Sequence, residues 1–181
     1  MGSPWRDAGT IAEIGQVMAR WLTGEVRGWS GHGDGVDPET RHLLPTLVAL
    51  NRAGVVTTNS QPGEVGTGYD GAHWRQKAFA AVIVDDRSPL LDRLIRSANS
   101  SGLTVLRGNR YPGLTVLTDR NGEPQMALAG SVPRNHLARE WSCLGSQGLK
   151  ELRDHGAVLH VVDPVWGRDD RLWPALTSAI R

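Results

Sequence analysis

Apolar residues recur at helical spacing in several stretches of the chain, and each stretch is bounded by capping or helix-stopping residues. The first begins after Thr10, which is placed to form a capping box with Glu13. Before the second, Asp37 and Pro38 are an N-terminal signal, and Pro45 is expected to kink or divide the helix. The pattern predicts helices over residues 11–25, 38–53, 88–101, 134–143, 147–154 and about 169–180.

Short apolar runs between turn residues predict the strands. The runs over 77–84 and 103–106 flank the third helix, so we expect a βαβ unit whose two strands are parallel. Asn121-Gly122 lies between two further runs and is a hairpin signal. Residues 61–71 hold four glycines and a proline and are predicted as a loop. The predicted strands cover residues 55–57, 77–84, 103–106, 114–117, 125–129 and 157–162.

The order of these elements predicts an α+β or mixed α/β fold. We expect one mixed sheet with helices packed on it, containing one βαβ unit and one β-hairpin. A length of 181 residues is typical of a single domain with a full core, so residues 1–181 are predicted as one domain.

Composition and charge exclude several classes of protein. Cys143 is the only cysteine, which excludes an internal disulfide and a thiolate metal cluster. The net charge of +1 gives no whole-chain attraction to nucleic acid or to a membrane. No apolar run reaches about 18 residues and the N-terminus lacks the apolar core of a secretion signal, so a cytoplasmic protein without membrane contact is expected. Only Lys77 and Lys150 are lysines, and every other basic residue is arginine.

The most informative stretch is the polar end of the first predicted strand. Val55 and Val56 lead into Thr57, Thr58, Asn59, Ser60 and Gln61. The ends of buried strands are where α/β proteins usually place ligand sites. If this strand lies beside the 157–162 strand, its end meets Asp163, Trp166 and Arg168, and Trp74 and Gln76 line the same cleft.

The residue types in this group fit a small polar or anionic ligand, such as a nucleotide or an amino-acid derivative. Asn59, Gln61 and Ser60 would hold polar edges of the ligand, with Thr58 beside them. Arg168 would neutralise an anionic group, and Trp166 or Trp74 would stack on a ring. If the site is catalytic, Asp163 is the candidate general base and Ser60 the other candidate catalytic residue. The alternative is structural, since Asp163-Pro164 also fits a turn and Ser60 or Asn59 can bond local backbone.

Three blocks of the sequence resemble a known family. They are Ala49–Gly63, Trp74–Ala78 and Val162–Arg168, the last followed by Leu172-Trp173-Pro174. Together they are similar to a family of short actinobacterial proteins that carry a domain of unknown function. The resemblance covers nearly the whole chain and implies a bacterial cytoplasmic setting, but it brings no catalytic assignment.

Other motifs give weaker hypotheses. His32, Asp34 and Asp37 could form a mobile lid or half a metal site, but metal clusters need three or four ligands at defined spacing, so no metal site is predicted. The spacing of Cys143 and His136 is too long for direct proton transfer. His160 lies within an apolar strand and is expected to be a hydrogen-bonded core residue. The glycines do not form a nucleotide motif, so the cofactor remains unknown.

A basic segment supports an alternative function. The Arg87–Arg110 segment holds the arginines Arg87, Arg93, Arg96, Arg107 and Arg110. Such a surface could bind nucleic acid or an acidic protein, although most such runs are solvated helix faces. The sequence therefore leaves two classes open: a small-ligand protein, which is favoured, and an interaction module. The oligomeric state is not predicted.

Overall fold

The computed structural model describes residues 3–28, 36–108, 111, 113–129 and 139–181. The helices are α1 Pro4–Asp7, α2 Ile11–Leu22, α3 Leu44–Arg52, α4 Pro89–Ser100, α5 Ser146–His155 and α6 Leu172–Ala179, with a 3-10 helix over Pro38–Leu43. The strands are β1 Val56–Gln61, β2 Glu64–Thr67, β3 His73–Gln76, β4 Phe79–Asp85, β5 Thr104–Arg107, β6 Thr115–Arg120, β7 Glu123–Leu128 and β8 Gly156–Val162.

These strands form two separate four-stranded antiparallel sheets, so the prediction of a single mixed sheet was wrong, although the α+β content was right. The main sheet has the order β1-β4-β8-β5, and the second sheet has the order β2-β3-β6-β7. The segment predicted as a loop over 61–71 contains β2, which pairs with β3. The glycines of this segment gave no strand signal in the sequence. The strand forms because it pairs with β3, and this pairing does not depend on the side chains of β2.

The prediction of a βαβ unit with neighbouring parallel strands was also wrong. β4 and β5 run in the same direction, as predicted, but they are not neighbours, because β8 lies between them and pairs antiparallel with both. Likewise β4 separates β1 from β8, so these two strands are not side by side. Sequence pattern shows two strands joined by a helix, but it does not show that a strand from far along the chain enters between them.

The predicted hairpin is confirmed. β6 and β7 pair antiparallel across Asn121 and Gly122, whose φ angles are 53° and 87°. Two consecutive positive φ angles are characteristic of the turn that matches the twist of hairpin strands. The Asn121 side chain accepts a hydrogen bond from the His73 N–H at 2.7 Å, which ties this turn to β3.

The helices cover one face of the main sheet. The capping box of α2 is present: Thr10 Oγ1 accepts from the Glu13 N–H, and the Glu13 carboxylate accepts from the Thr10 N–H. The helix ends at Leu22, earlier than predicted, and Gly24 follows with φ +79°. Pro45 divides the second helical stretch, as expected, into a 3-10 helix and α3. Among the described residues, no helix is long and apolar enough to cross a bilayer.

A bulge at Thr58 divides β1 into two registers. Thr57 lies opposite Val82 and Asn59 lies opposite Ala81, so Thr58 is an extra residue. Ser60 is therefore opposite Ala80, whose side chain packs in the helix-covered core, and Gln61 is opposite Phe79, which faces the second sheet. The bulge thus places Thr57 and Ser60 on the same face, although three positions separate them.

Buried Asn51 holds β1 against α3. Its side-chain amide donates to the Leu47 carbonyl at 2.8 Å and to Thr57 Oγ1 at 2.7 Å, and its oxygen accepts from the Thr57 N–H. The asparagine has no exposed surface. These bonds satisfy the polar groups of β1 at the start of the bulge.

The second sheet packs over the other face of the main sheet through a small apolar cluster of Phe79, Ala81, Leu117 and Val162. His160 stacks on Phe79, with ring centroids 5.9 Å apart, and lies 3.2 Å from the Tyr111 hydroxyl. The prediction of a hydrogen-bonded core histidine is confirmed. Burial lowers the pKa of His160 from its usual 6.5 to about 4.

We expect Asn51→Ala to lower the free energy of unfolding by about 1–3 kcal/mol, because the Thr57 N–H and hydroxyl lose their buried partner. Urea unfolding at neutral pH would measure the change. Asn99→Ala, at an exposed position of α4, is the matched control and should change stability little. A loss no larger than that of the control would contradict the role of Asn51.

The buried His160 should make stability depend on pH. Its folded pKa is lowered, so the unfolded chain binds the extra proton first, and stability falls as the pH drops from about 6.5 to about 4. The loss is on the order of 3 kcal/mol and levels off below that range. His160→Gln, which can still bond Tyr111, should lose less stability than the wild type between pH 7 and 4. Parallel curves for the two proteins would exclude this assignment.

Candidate functional site

The last residues of β1 and β8 lie at the same end of the main sheet, because Gln61 and Val162 are both opposite Phe79. Their following turns meet beyond β4. The Gly63 N–H donates to Asp169 Oδ1 at 2.8 Å, and a Cβ at residue 63 would overlap the Arg168 carbonyl. The two predicted segments therefore converge as backbone turns, even though the strands are not neighbours.

Asp163 and Arg168 form a closed ion pair in the turn after β8. Arg168 Nε and Nη2 each donate to the Asp163 carboxylate at 2.8 Å, and the Val165 N–H donates to Oδ1 at 2.9 Å. Asp163 has no exposed surface. The same pairing with Asp163 raises the pKa of Arg168. This geometry suits a structural role for the pair, and a catalytic role for Asp163 stays a prediction.

Gln61 and Thr58 also direct their polar groups into the protein. The Gln61 amide donates to the carbonyls of Lys77 at 2.9 Å and Leu117 at 3.2 Å. The Thr58 hydroxyl donates to the Ala81 carbonyl at 3.2 Å. Gln61 therefore joins the two sheets, and its amide N–H groups already have protein acceptors.

Trp74 and Gln76 of β3 leave one face of the strand, and Trp166 packs against the other face. Trp74 and Gln76 alternate with Arg75, so their side chains leave the strand from the opposite face. Trp166 packs on the Arg75 side, with the guanidinium 4.6 Å from its ring centroid. Gln76 is buried, and its Nε2 has no hydrogen-bond partner within the described residues. The structure thus does not gather Trp74, Gln76 and Trp166 into one cleft.

A cleft of about 90 Å³ lies beside the middle of β1, on the helix-covered face. We call it the α2–β1 cleft. It brings together the predicted residues Thr58, Asn59 and Ser60. The rest of its lining, in the described part of the chain, is Met18, Trp21, Leu22, Val36, Asp37, Thr40, Leu47 and Thr57.

Sequence reasoning misses most of this lining. The apolar periodicity places Trp21 in the core and gives no signal at Thr40. It shows that Met18 and Trp21 of α2 face inward, but not that Thr57 and Ser60 of β1 border the same space. The available signal is the run of polar residues in β1, since an edge strand with polar groups on its covered face must border a cavity or partners.

A larger hollow of about 570 Å³ adjoins this cleft and shares Trp21, Leu22 and Val36 with it. Arg27 and Arg41 also line it, and both are exposed. An apolar and aromatic boundary therefore separates a small hydroxyl-rich space from a wider space with cationic side chains.

Some residues named in the sequence-based hypotheses are not in the part of the chain that the structure describes, or do not form the predicted site. His32, Asp34, His136 and Arg110 lie outside the described residues. In the described ranges, no group of three or more His, Cys, Asp or Glu residues could hold a metal ion.

In the described part of the basic segment, one arginine is paired with carboxylates and three are exposed. Arg87 donates to both oxygens of Asp85 at 2.8 Å and also bonds Glu151, so its charge is neutralised. Arg93 and Arg96 are exposed on α4, and Arg107 is exposed at the end of β5. Binding of nucleic acid or an acidic protein through this segment stays a prediction.

Comparison with known proteins identifies a family. Residues 2–181 match the model of a family described as a domain of unknown function, DUF6919, so the chain belongs to that family. No curated protein matches the chain. The match confirms the resemblance to a domain of unknown function over nearly the whole chain.

Removing the buried carboxylate of Asp163 should destabilise the fold. Asp163→Ala leaves Arg168 and the Val165 N–H without their acceptor, and we expect a loss of about 2–4 kcal/mol, moderated because Arg168 is partly exposed. Chemical denaturation would measure it. Asp7→Ala, at an exposed position at the end of α1, is the control and should change stability by less than about 0.5 kcal/mol. Equal effects would show that the pair does not stabilise this turn.

Proposed function

We propose that this member of the DUF6919 family binds a small polar or anionic molecule, such as an amino-acid derivative or a nucleotide, in the α2–β1 cleft. The observation that carries the proposal is the lining of the cleft. Thr40, Thr57 and Ser60 line one small space together with the apolar residues Met18 and Trp21, and of these the Thr57 hydroxyl already accepts a hydrogen bond from the Asn51 amide. Pockets that bind small molecules combine apolar walls with a few polar groups that orient the ligand.

The sizes of the two spaces support a ligand with two parts. A volume of about 90 Å³ equals the share of about three water molecules in the liquid, so it accepts a small polar fragment. The adjoining hollow of about 570 Å³ lies within the range of small-molecule sites. A ligand that spans Trp21 would place its polar end among the hydroxyl groups and its larger part in the hollow.

The charges of the lining favour different groups at the two ends. Asp37 borders the cleft and favours a hydrogen-bond donor or a cationic group. Arg27 and Arg41 border the hollow and favour a carboxylate or phosphate. An amino-acid derivative has both kinds of group, and a nucleotide offers amino groups and phosphate.

The geometry supports binding more directly than catalysis. Ser60 lines the cleft, but the described lining includes no histidine that could act as its base. We therefore place Ser60 and Asn59 as ligand-binding residues. The family resemblance supports a bacterial cytoplasmic setting as part of the same proposal.

A thermal-shift screen over amino acids, nucleosides, nucleotides and sugar phosphates tests the proposal. We expect at least one compound to raise the melting temperature of the wild type. Ser60→Val and Thr40→Val remove a hydroxyl group from the cleft, and each should weaken the binding of that compound about tenfold or more by calorimetric titration.

Thr104→Val, at an exposed position of β5, is the matched control and should bind as the wild type does. Unchanged affinity in both cleft variants would place the ligand elsewhere. A screen in which no compound shifts the melting temperature would count against a small-ligand function.

A further inference from the structure

Two cationic side chains lie over Trp166, where the second sheet connects to the main sheet, and a third cation belongs to the same turn as this tryptophan. Lys77 lies between β3 and β4, and its Nζ is 4.5 Å from the Trp166 ring centroid. The Arg75 guanidinium is 4.6 Å from the same centroid. Arg168 belongs to the same turn as Trp166. Cations over an aromatic ring are stabilised by its negative face, but they also repel one another.

Two carboxylates near this cluster are already paired with arginines. Arg75 Nη2 lies 3.2 Å from Asp119 Oδ2, and Arg168 bonds both oxygens of Asp163. Within the described residues, Lys77 forms no ion pair, so the three cations and the two paired carboxylates Asp119 and Asp163 sum to one positive charge, while Asp170 attracts Arg168 without bonding it. Burial lowers the pKa of Lys77, and the Arg75 charge lowers it further, while Asp163 opposes them. The environment therefore disfavours the Lys77 ammonium while no anion is bound.

Hydrogen-bond donors are in excess as well as charge. Arg75 uses Nη2 for Asp119, but its Nε is buried and has no acceptor among the described residues. Buried donors without a partner are rare in folded proteins, and a bound ion can supply the acceptor that such a donor needs. The donor excess and the charge excess thus occur at the same place, next to Trp166.

We propose that Lys77, together with Arg75, binds a small oxyanion, the phosphate or carboxylate group of a ligand, beside Trp166. An oxyanion there accepts hydrogen bonds from the ammonium and neutralises the unpaired charge. Val65 and Val165 are 52% and 46% exposed, and Val65 lies against Gly167 in the same turn. These side chains offer an apolar surface to the remainder of the ligand. None of these residues lines the α2–β1 cleft, so this site does not depend on the proposed function.

The chain offers an internal control, because Lys150 is the only other lysine. Lys150 is largely exposed on α5 and lies 2.9 Å from Asp154. The acylation rates of the two amines by N-hydroxysuccinimidyl acetate at pH 8 can be followed separately by mass spectrometry of peptides. Inorganic phosphate, acetate and phenyl phosphate are the probes, with sodium chloride keeping the ionic strength constant.

We expect phosphate or acetate to slow the acylation of Lys77 about tenfold at a concentration about nine times its Kd, and to leave Lys150 unchanged. Protection by phosphate alone would assign a phosphate group, and protection by acetate alone a carboxylate. Stronger protection by phenyl phosphate than by inorganic phosphate would show that the apolar surface takes part. Equal rates at Lys77 with and without every probe, or equal slowing at both lysines, would overturn the proposal.

A second measurement does not depend on the reactivity of the amine. The wild type and Lys150→Met should gain thermal stability in the protecting anion, whereas Lys77→Met should not. Lys77→Met keeps most of the apolar stem of the side chain, so it is expected to fold. The same anion-induced shift in both variants would contradict a site at Lys77.

Discussion

One extra residue in β1 determines which side chains of that strand face the helices and which face the second sheet. Because side chains alternate along a strand, the bulge at Thr58 exchanges the faces of every residue that follows it. Ser60 then faces the helices, and Gln61 faces the second sheet, where its amide bonds the carbonyls of Lys77 and Leu117. Without this insertion, Ser60 would not border the α2–β1 cleft, and Gln61 would not join the sheets. Asn51 holds the strand at the start of the bulge.

The junction between the sheets explains why many polar residues of this chain are not available to a ligand. A sheet edge and two turns meet there, and their buried backbone and side-chain polar groups must be paired because water does not reach them. Asp163, Arg168 and Gln61 supply that pairing. Their residue types are those of a binding site, but their contacts are those of a structural junction. Asn59 and Ser60 lie outside this network, on the part of β1 that borders the cleft.

The two proposed sites follow from this division. The cleft lies on the helix-covered face of the main sheet and combines hydroxyl groups with the apolar face of α2. The oxyanion site lies at the junction itself, where arginines are paired with carboxylates and Lys77 is not. Chemistry at the first site depends on hydrogen-bond geometry, and at the second on uncompensated charge. Each site can therefore be tested without disturbing the other.

The sequence by itself determined the local elements: the capping box of α2, the division of the second helix at Pro45, the Asn121-Gly122 hairpin and the burial of the 157–162 strand. The cap, the helix division and the hairpin depend on contacts between residues close in the chain, and the burial of the strand follows from its continuous run of apolar residues. It also identified the polar run in β1, from which Thr58, Asn59 and Ser60 line the cleft. Only the tertiary structure decided that there are two sheets, that β8 enters between β4 and β5, and which polar side chains are consumed in pairing. Those outcomes depend on hydrogen bonds between distant segments, and a single residue of register, as at Thr58, reverses which face a side chain occupies.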